Sequence, residues 1–314
     1  MDRIIANSII FLTHVVLLEL ALGIFNTLYL QNLTLFSFLT LLFIFFITRL
    51  KHSKDKPAKP QQNDECFLSD KTLLFCFSAI MGFSLIKIAI NFINPPFGWD
   101  NLNYHFTFPV EWLKHGNLET PITIADDPGP SYYPINGNLF FLWLMLPFKN
   151  VLLADLGQIP FFFLAFLATY RISQQIGLNK EYSFYAAASF FLIPNFFKQL
   201  EVAYVDAMVA ALFLICLNTL FLLEKEFSLK NVTLYSIGLG LFLGVKTLAL
   251  TYSALLLPPF LFLCFKNYKK ISLALPISIL AIVGLGGFSY IRNFIDTGNP
   301  MYPLDFKIFG QTIF

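Results

Sequence analysis

The chain has 314 residues, 57% of them hydrophobic and only 13% charged, with a mean hydropathy of +0.67 and a formal net charge of +2. Soluble domains carry about 25% charged residues, so this composition excludes a soluble globular protein. The basic residues form short clusters beside apolar segments, which excludes an extended nucleic-acid patch. Runs of about 20 apolar residues recur, the length that spans a bilayer. The reading is an all-α polytopic membrane protein.

Nine spans are predicted in chain order, at 4–30, 33–50, 72–93, 151–172, 183–198, 204–223, 232–249, 251–265 and 271–291. The first is too long for the apolar core of a cleavable leader and carries Glu19 and Asn26, so it reads as a retained span. His14 and Glu19 could hydrogen-bond across helices, with no partner evident. Residues 1–50 form an N-terminal two-helix hairpin and 51–71 a flexible basic linker rich in Lys and Pro. The transmembrane core is 72–314, with a large external loop at 94–149. Within that loop, Leu139–Phe148 is apolar but too short to span, so it lies at the interface or re-enters.

Lys and Arg in short loops set the orientation. Arg49, Lys51, Lys54, Lys56, Lys59 and Lys71 follow the second span. Arg171 and Lys180, then Lys225 and Lys230, then Lys266, Lys269 and Lys270, follow the fourth, sixth and eighth. With the N-terminus inside, all four groups face the cytoplasm and the polar loop faces outside. Lys198–Asp206, Lys246 and Arg292–Asp305 then share the outer face, with Lys87 about one and a half turns from it. The four cysteines, Cys66, Cys76, Cys216 and Cys264, have no metal-like spacing, so neither a zinc site nor a disulfide is expected. Gly240 and Gly244 have the spacing of close helix packing, and Gly284, Gly286 and Gly287 suit the same purpose.

The polar loop carries the chemistry-bearing residues, and each has a structural alternative. Asp100, after the third span, is either a general base or metal ligand, or an N-cap. Trp99 is an interface aromatic. Tyr104 and His105 follow one turn on; His105 is an acid–base group, a phosphate binder when protonated, or a His held by local hydrogen bonds. Asp126 and Asp127 either bind a cation or sugar hydroxyls, or are solvated. Tyr132 and Tyr133 offer faces that stack on sugar rings or anchor at the interface. Glu201 and Asp206 flank Tyr204 close to hydrocarbon, where acids are costly unless paired or wet. Lys246, Arg292 and Lys87 are anion binders, or in the case of Lys87 a side chain snorkelling to the interface. No Walker-type loop, HExxH or GxSxG motif occurs, which argues against a P-loop NTPase, a zincin or an α/β-hydrolase.

Five segments, GWDNLNYHFTFPVEWLKHGNL, YYPINGNLFFLWLMLPF, QLEVAYVDAMVAALF, GVKTLAL and YIRNFIDTGNPMYP, resemble in their order the GT-C membrane glycosyltransferases. That superfamily includes the protein mannosyltransferases and aminoarabinose transferases, and the likeness here is to a bacterial branch. The resemblance covers about Phe97 to the end. It implies a glycosyltransferase that uses a polyprenyl-phosphate sugar donor and a glycan, lipid or protein acceptor. It implies a bacterial inner-membrane location with the site facing outside, and interfacial helices at Phe106–His115 and Leu139–Phe148. Asp100 stands where the family has its catalytic base or metal ligand, and His105 and Asp206 join it as catalytic candidates. Tyr104, Asp126, Asp127, Tyr133, Glu201, Lys246, Arg292 and Asn293 are the substrate-binding candidates. The family's Asp-Glu pair is not matched, because Asn101 follows Asp100, so a divalent cation stays open as cofactor. Relatives of this type continue with more spans or a soluble domain, so a chain stopping soon after Pro303 implies a fragment or the lack of an acceptor-binding part. The alternatives are a lipid or solute transporter or flippase, and a non-catalytic membrane scaffold.

Overall fold

The structure, a computed structural model, describes residues 1–52, 71–94, 96–123, 127–268 and 274–305 and the short stretches 307–308 and 311–312. Nearly all of the linker expected at 51–71, including Cys66, lies outside these residues, as does Asp126. The side chains of Cys76 and Glu201 are likewise outside the description.

The regular secondary structure of the described residues is helical except for a two-residue antiparallel pairing of Lys307–Ile308 with Gln311–Thr312. In order, the helices are α1 (Asp2–Ile24), α2 (Leu30–His52), α3 (Lys71–Ile93), α4 (Thr107–His115), α5 (Asn136–Met145) and α6 (Leu152–Asp155). Next come α7 (Ile159–Gln175), α8 (Lys180–Phe191), α9 (Pro194–Lys198) and α10 (Asp206–Lys225). The last are α11 (Leu229–Leu243), α12 (Leu248–Lys266), α13 (Ala274–Gly286) and α14 (Phe288–Thr297). Among the described residues, four helices are long and apolar enough to cross a membrane: α1, the α6–α7 stretch, α10 and α12. A fifth is added if α13 and α14, bent by 65°, count as one span. Shorter apolar helical stretches lie at Leu30–Leu42, Phe77–Ile93 and Leu229–Leu243.

The predicted spans differ from these helices where local chemistry ends a helix. The span expected over 4–30 stops at Ile24, because Asn26 adopts a left-handed conformation at φ 56°, one that Asn visits more readily than most residues. The span expected over 183–198 is two pieces. Pro194 forces Ile193 into an extended conformation (ψ 115°), as the residue before a proline prefers. This leaves α8 with 12 residues, about 18 Å and too short to cross alone. Asn179 and Ser228 open α8 and α11 by accepting from the backbone N–H of Tyr182 and Asn231, the usual work of N-caps.

The core lies where α10 packs between α7 and α11, and where α11 lies along α13. Small residues set the closeness of the second contact. A Cβ on Gly240 would come within 2.6 Å of the Ala281 carbonyl oxygen, and one on Gly286 within 2.7 Å of the Gly240 oxygen. Gly240→Val would therefore push α11 off α13. Gly284, expected to serve the same packing, has open space beside it, whereas a Cβ on Gly244 would meet both the Asn136 side chain and, at 2.8 Å, the Leu285 carbonyl oxygen of α13. The first helix is no appendage: α1 packs on α5, α7, α11 and α13, burying Val15, Val16 and Glu19. Its start is joined to the end of α7 by a bidentate pair, Arg171 Nε and Nη2 donating to Asp2 at 2.7 and 2.5 Å. Cys216 and Cys264 are buried thiols. The described parts of 94–138 and the α9–α10 linker meet at one end of this bundle, where α10 begins and α11 ends.

Candidate active site

The segment after α3 turns through Gly98, which has no room for a side chain: a Cβ would lie 2.9 Å from the Tyr204 ring. It then enters a π-helical turn, Asn101–His105, closed by Phe106 N–H donating to the Asn101 carbonyl at 2.9 Å. Single π turns of this kind often occur at functional sites. The wider turn keeps Tyr104 over Asp100, and the Tyr104 hydroxyl hydrogen-bonds the Asp100 carboxylate. Asp100 caps no backbone N–H, so the N-cap alternative is not what the fold uses. Burial first, then the Asp100 charge and its hydrogen bond, push the Tyr104 hydroxyl well above its ordinary pKa of 10.0. It is a fixed donor throughout the physiological range.

His105 is buried at 4% exposure, against the rings of Tyr104 (4.2 Å) and Phe141 (5.7 Å), with Tyr204 at 6.4 Å. Its Nδ1 lies 2.6 Å from Asn138 Oδ1. Burial lowers its pKa from 6.5 to about 4, with the Lys246 charge acting the same way and Asn138 and Asp206 opposing. The ring is therefore neutral at pH 7. With Asn138 accepting, the proton sits on Nδ1 and Nε2 is left as an acceptor. The phosphate-binding reading, which needs a protonated ring, is corrected by this burial.

Two further elements complete the cluster. Lys246, just past α11, donates to Asp206 Oδ1 at 2.6 Å, with both side chains more than a third exposed. Asp206 opens α10, where a carboxylate complements the helix dipole. Tyr133 stands edge-on to Tyr104, ring centres 6.0 Å apart. Its pKa is raised by burial, then by Asp127 and Asp100, and opposed by Lys246. Asn136 builds this corner: its N–H donates to the Gly244 carbonyl at 2.8 Å, and its Nδ2 to those of Leu285 (2.8 Å) and Leu241 (3.3 Å). One asparagine thus ties the start of α5 to α13 and to the end of α11, just before Lys246.

The remaining candidates have other work. Asp127 is exposed; its Oδ1 accepts from Gly129 N–H at 2.9 Å, an Asx turn that shapes the loop before Tyr133. Arg292 donates to the Ser131 carbonyl at 2.9 Å, and Asn293 to the carbonyls of Tyr132 (2.8 Å) and Tyr302 (3.3 Å). Both thereby clamp α14 onto the turn that carries Tyr133. Arg292 Nε and Nη1 are buried without a protein partner, so part of the guanidinium remains able to donate. Glu201 ends the short 3₁₀ turn Gln199–Glu201 before Tyr204. Lys87 lies over the Phe83 ring (5.9 Å) on α3, beside Lys198, and Trp99 is 68% exposed.

Sequence reasoning did not assign Asn138 as the partner of His105, Asn136 as the tie to α11, or Tyr204 as a wall. Only Asn136 and Asn138, two amides within an aromatic turn, carried a signal. Among the described residues no three His, Cys, Asp or Glu side chains gather as a metal site. Asp206 is engaged by Lys246. No family model, curated protein or solved structure matches this chain.

Proposed function

We propose that the chain is a membrane glycosyltransferase, moving a sugar from a polyprenyl-phosphate donor to an acceptor hydroxyl at the outer face. The observation that carries this reading is the meeting of Asp100, held by Tyr104, with the Lys246–Asp206 pair and Tyr133. A base, a fixed cation and aromatic faces then come from three separate parts of the chain.

Asp100 accepts the proton of the acceptor hydroxyl as its oxygen attacks the anomeric carbon. The bond from that carbon to the phosphate oxygen breaks, and the lipid phosphate leaves with the electron pair. Lys246 stabilises the charge developing on the leaving phosphate, a fixed charge that needs no reorganisation during the step. Asp206 orients Lys246 and does not move a proton itself. The neutral His105 Nε2 accepts a sugar hydroxyl, and Tyr133 and Tyr204 stack on the ring. Direct displacement inverts the anomeric carbon. The donor class follows from the sequence resemblance and not from the site geometry.

The test is transfer of label from polyprenyl-phosphate sugars in membranes carrying the wild type or Asp100→Asn at matched expression. A general base contributes about 10²–10⁴-fold. The expected result is a labelled product from the wild type and a loss of that order in the variant. Equal transfer by both would remove Asp100 from the mechanism. The transporter reading gains one observation, that both Glu19 oxygens on α1 are buried without a partner. Intramembrane carboxylates commonly mark ion pathways. Solute uptake that Glu19→Gln abolishes, with no sugar transfer in the wild type, would favour it.

A further inference from the structure

A cavity lies far from the candidate active site. It has a volume of about 590 Å³, is half open, and is formed by α1, α10 and α11. Leu222 lines it, and Asp206, in the active-site cluster, begins the same helix. Sixteen residues at 1.5 Å each put the two about 24 Å apart, close to the depth of a bilayer's hydrocarbon. The cavity therefore belongs to the opposite end of the bundle. Lys225 and Lys266 also end their helices there.

Its lining is two-sided. Ile5, Ile9 and Ile237 give an apolar wall along the helices, and Arg3, Lys230 and Asn7 are gathered at the helix ends. Arg3 and Lys230 are exposed, and among the described residues neither has an ion pair. The acid in the lining, Asp2, is already held at both oxygens by Arg171. The cavity thus presents two uncompensated cations above an apolar wall, with the Asn7 amide beside them. A free phosphate has no use for the wall, and a zwitterionic lipid has less use for the cations.

We infer that this cavity binds one anionic phospholipid, its phosphate between Arg3 and Lys230 and an acyl chain along Ile9 and Ile237. Basic residues near a membrane surface attract anionic headgroups by about fivefold each in affinity. The pair therefore gives roughly thirty-fold preference over a neutral headgroup with the same chains. The inference does not depend on sugar transfer, and its readout is lipid binding.

The experiment is native mass spectrometry of the purified full chain, titrated with dioleoylphosphatidylglycerol or dioleoylphosphatidylcholine. The expected result is one tightly held phosphatidylglycerol, with a preference of roughly thirty-fold. Arg3→Gln with Lys230→Gln, both at exposed positions, removes the preference. Lys225→Gln with Lys266→Gln, an equal charge change at the same end but off the cavity lining, leaves it. Ala6→Phe, which fills the cavity without touching a charge, weakens phosphatidylglycerol binding. The inference is overturned if the Lys225/Lys266 pair matters as much as the Arg3/Lys230 pair, or if Ala6→Phe binds like wild type. Displacement of the lipid by excess inorganic phosphate would also overturn it.

Discussion

Lys246–Asp206 and Arg171–Asp2 are ion pairs between residues 40 and 169 positions apart in the chain, and they stand at opposite ends of the bundle. Their surroundings separate them. Arg171 grips Asp2 with two nitrogens and Gln174 with a third, a planar fork that locks one geometry. Lys246 makes a single contact to Asp206, and beside it stand a buried neutral imidazole, two tyrosine hydroxyls and a second carboxylate. A lysine ammonium has three N–H donors, so one stays on Asp206 and holds the charge in place while the others remain for a phosphate oxygen. The first pair fastens α1 to α7; the second holds a cation ready.

That contrast is sharpest if each pair is broken in turn. Lys246→Gln removes the charge facing the leaving phosphate, and loss of one such group costs roughly 10²–10³-fold in rate. The expected result is that loss in kcat with little change in thermal stability, seen by single-turnover transfer and a melting curve. Asp206→Asn leaves the cation but frees it, so KM should rise more than kcat falls. Equal loss of rate and stability in Lys246→Gln would make this pair another fastener.

The next effect in size belongs to His105. Its folded pKa of about 4 lies below the ordinary 6.5, so between those values the unfolded chain binds a proton that the folded one does not. Stability then falls as pH drops from about 6.5 and levels off below about 4, by about 3 kcal/mol for a fully buried ring. His105→Gln, which can keep a donor to Asn138, should flatten that window in urea-unfolding midpoints taken across pH. An unchanged slope would mean other groups carry the acid sensitivity. Tyr104→Phe comes third. It removes a hydrogen bond to a carboxylate, worth about 1.5 kcal/mol or more, and should lower kcat about tenfold while transfer remains measurable.

The convergence was legible in the sequence because the ionisable and aromatic residues cluster in the polar segments between apolar helices. Asp100, Tyr104, His105, Tyr133, Asp206 and Lys246 all fell at one predicted depth, and the structure gathers them. The sequence did not reveal how the convergence is held. A helical period of 3.6 puts Tyr104 near Asp100, but only the π turn sets the contact. Nothing local marks Asn138 as the partner of a histidine 33 positions away. Arg292 looked like an anion binder because an arginine near an interface usually is one. Its hydrogen bond to the Ser131 carbonyl depends on the turn at 129–132 folding back onto α14. Helix ends failed for a similar reason: hydropathy runs on through Asn26 and Pro194, and backbone conformation does not.

The smallest expected effect tests the other half of the comparison. Arg171→Gln breaks the fastener between α1 and α7. The side chains of Arg171 and Asp2 are 27% and 38% exposed, so water screens them, and exposed pairs contribute about 0.2–1 kcal/mol. Bidentate geometry argues for the upper part of that range. The variant should therefore melt slightly lower at low salt, and the difference should shrink as salt rises, because screening already weakens the wild-type pair. Transfer should not change, since the pair lies with the cavity at the far end of α10. A loss of transfer without a loss of stability would mean that the two ends communicate through α1 or α7, and the division between fastening and chemistry would fail.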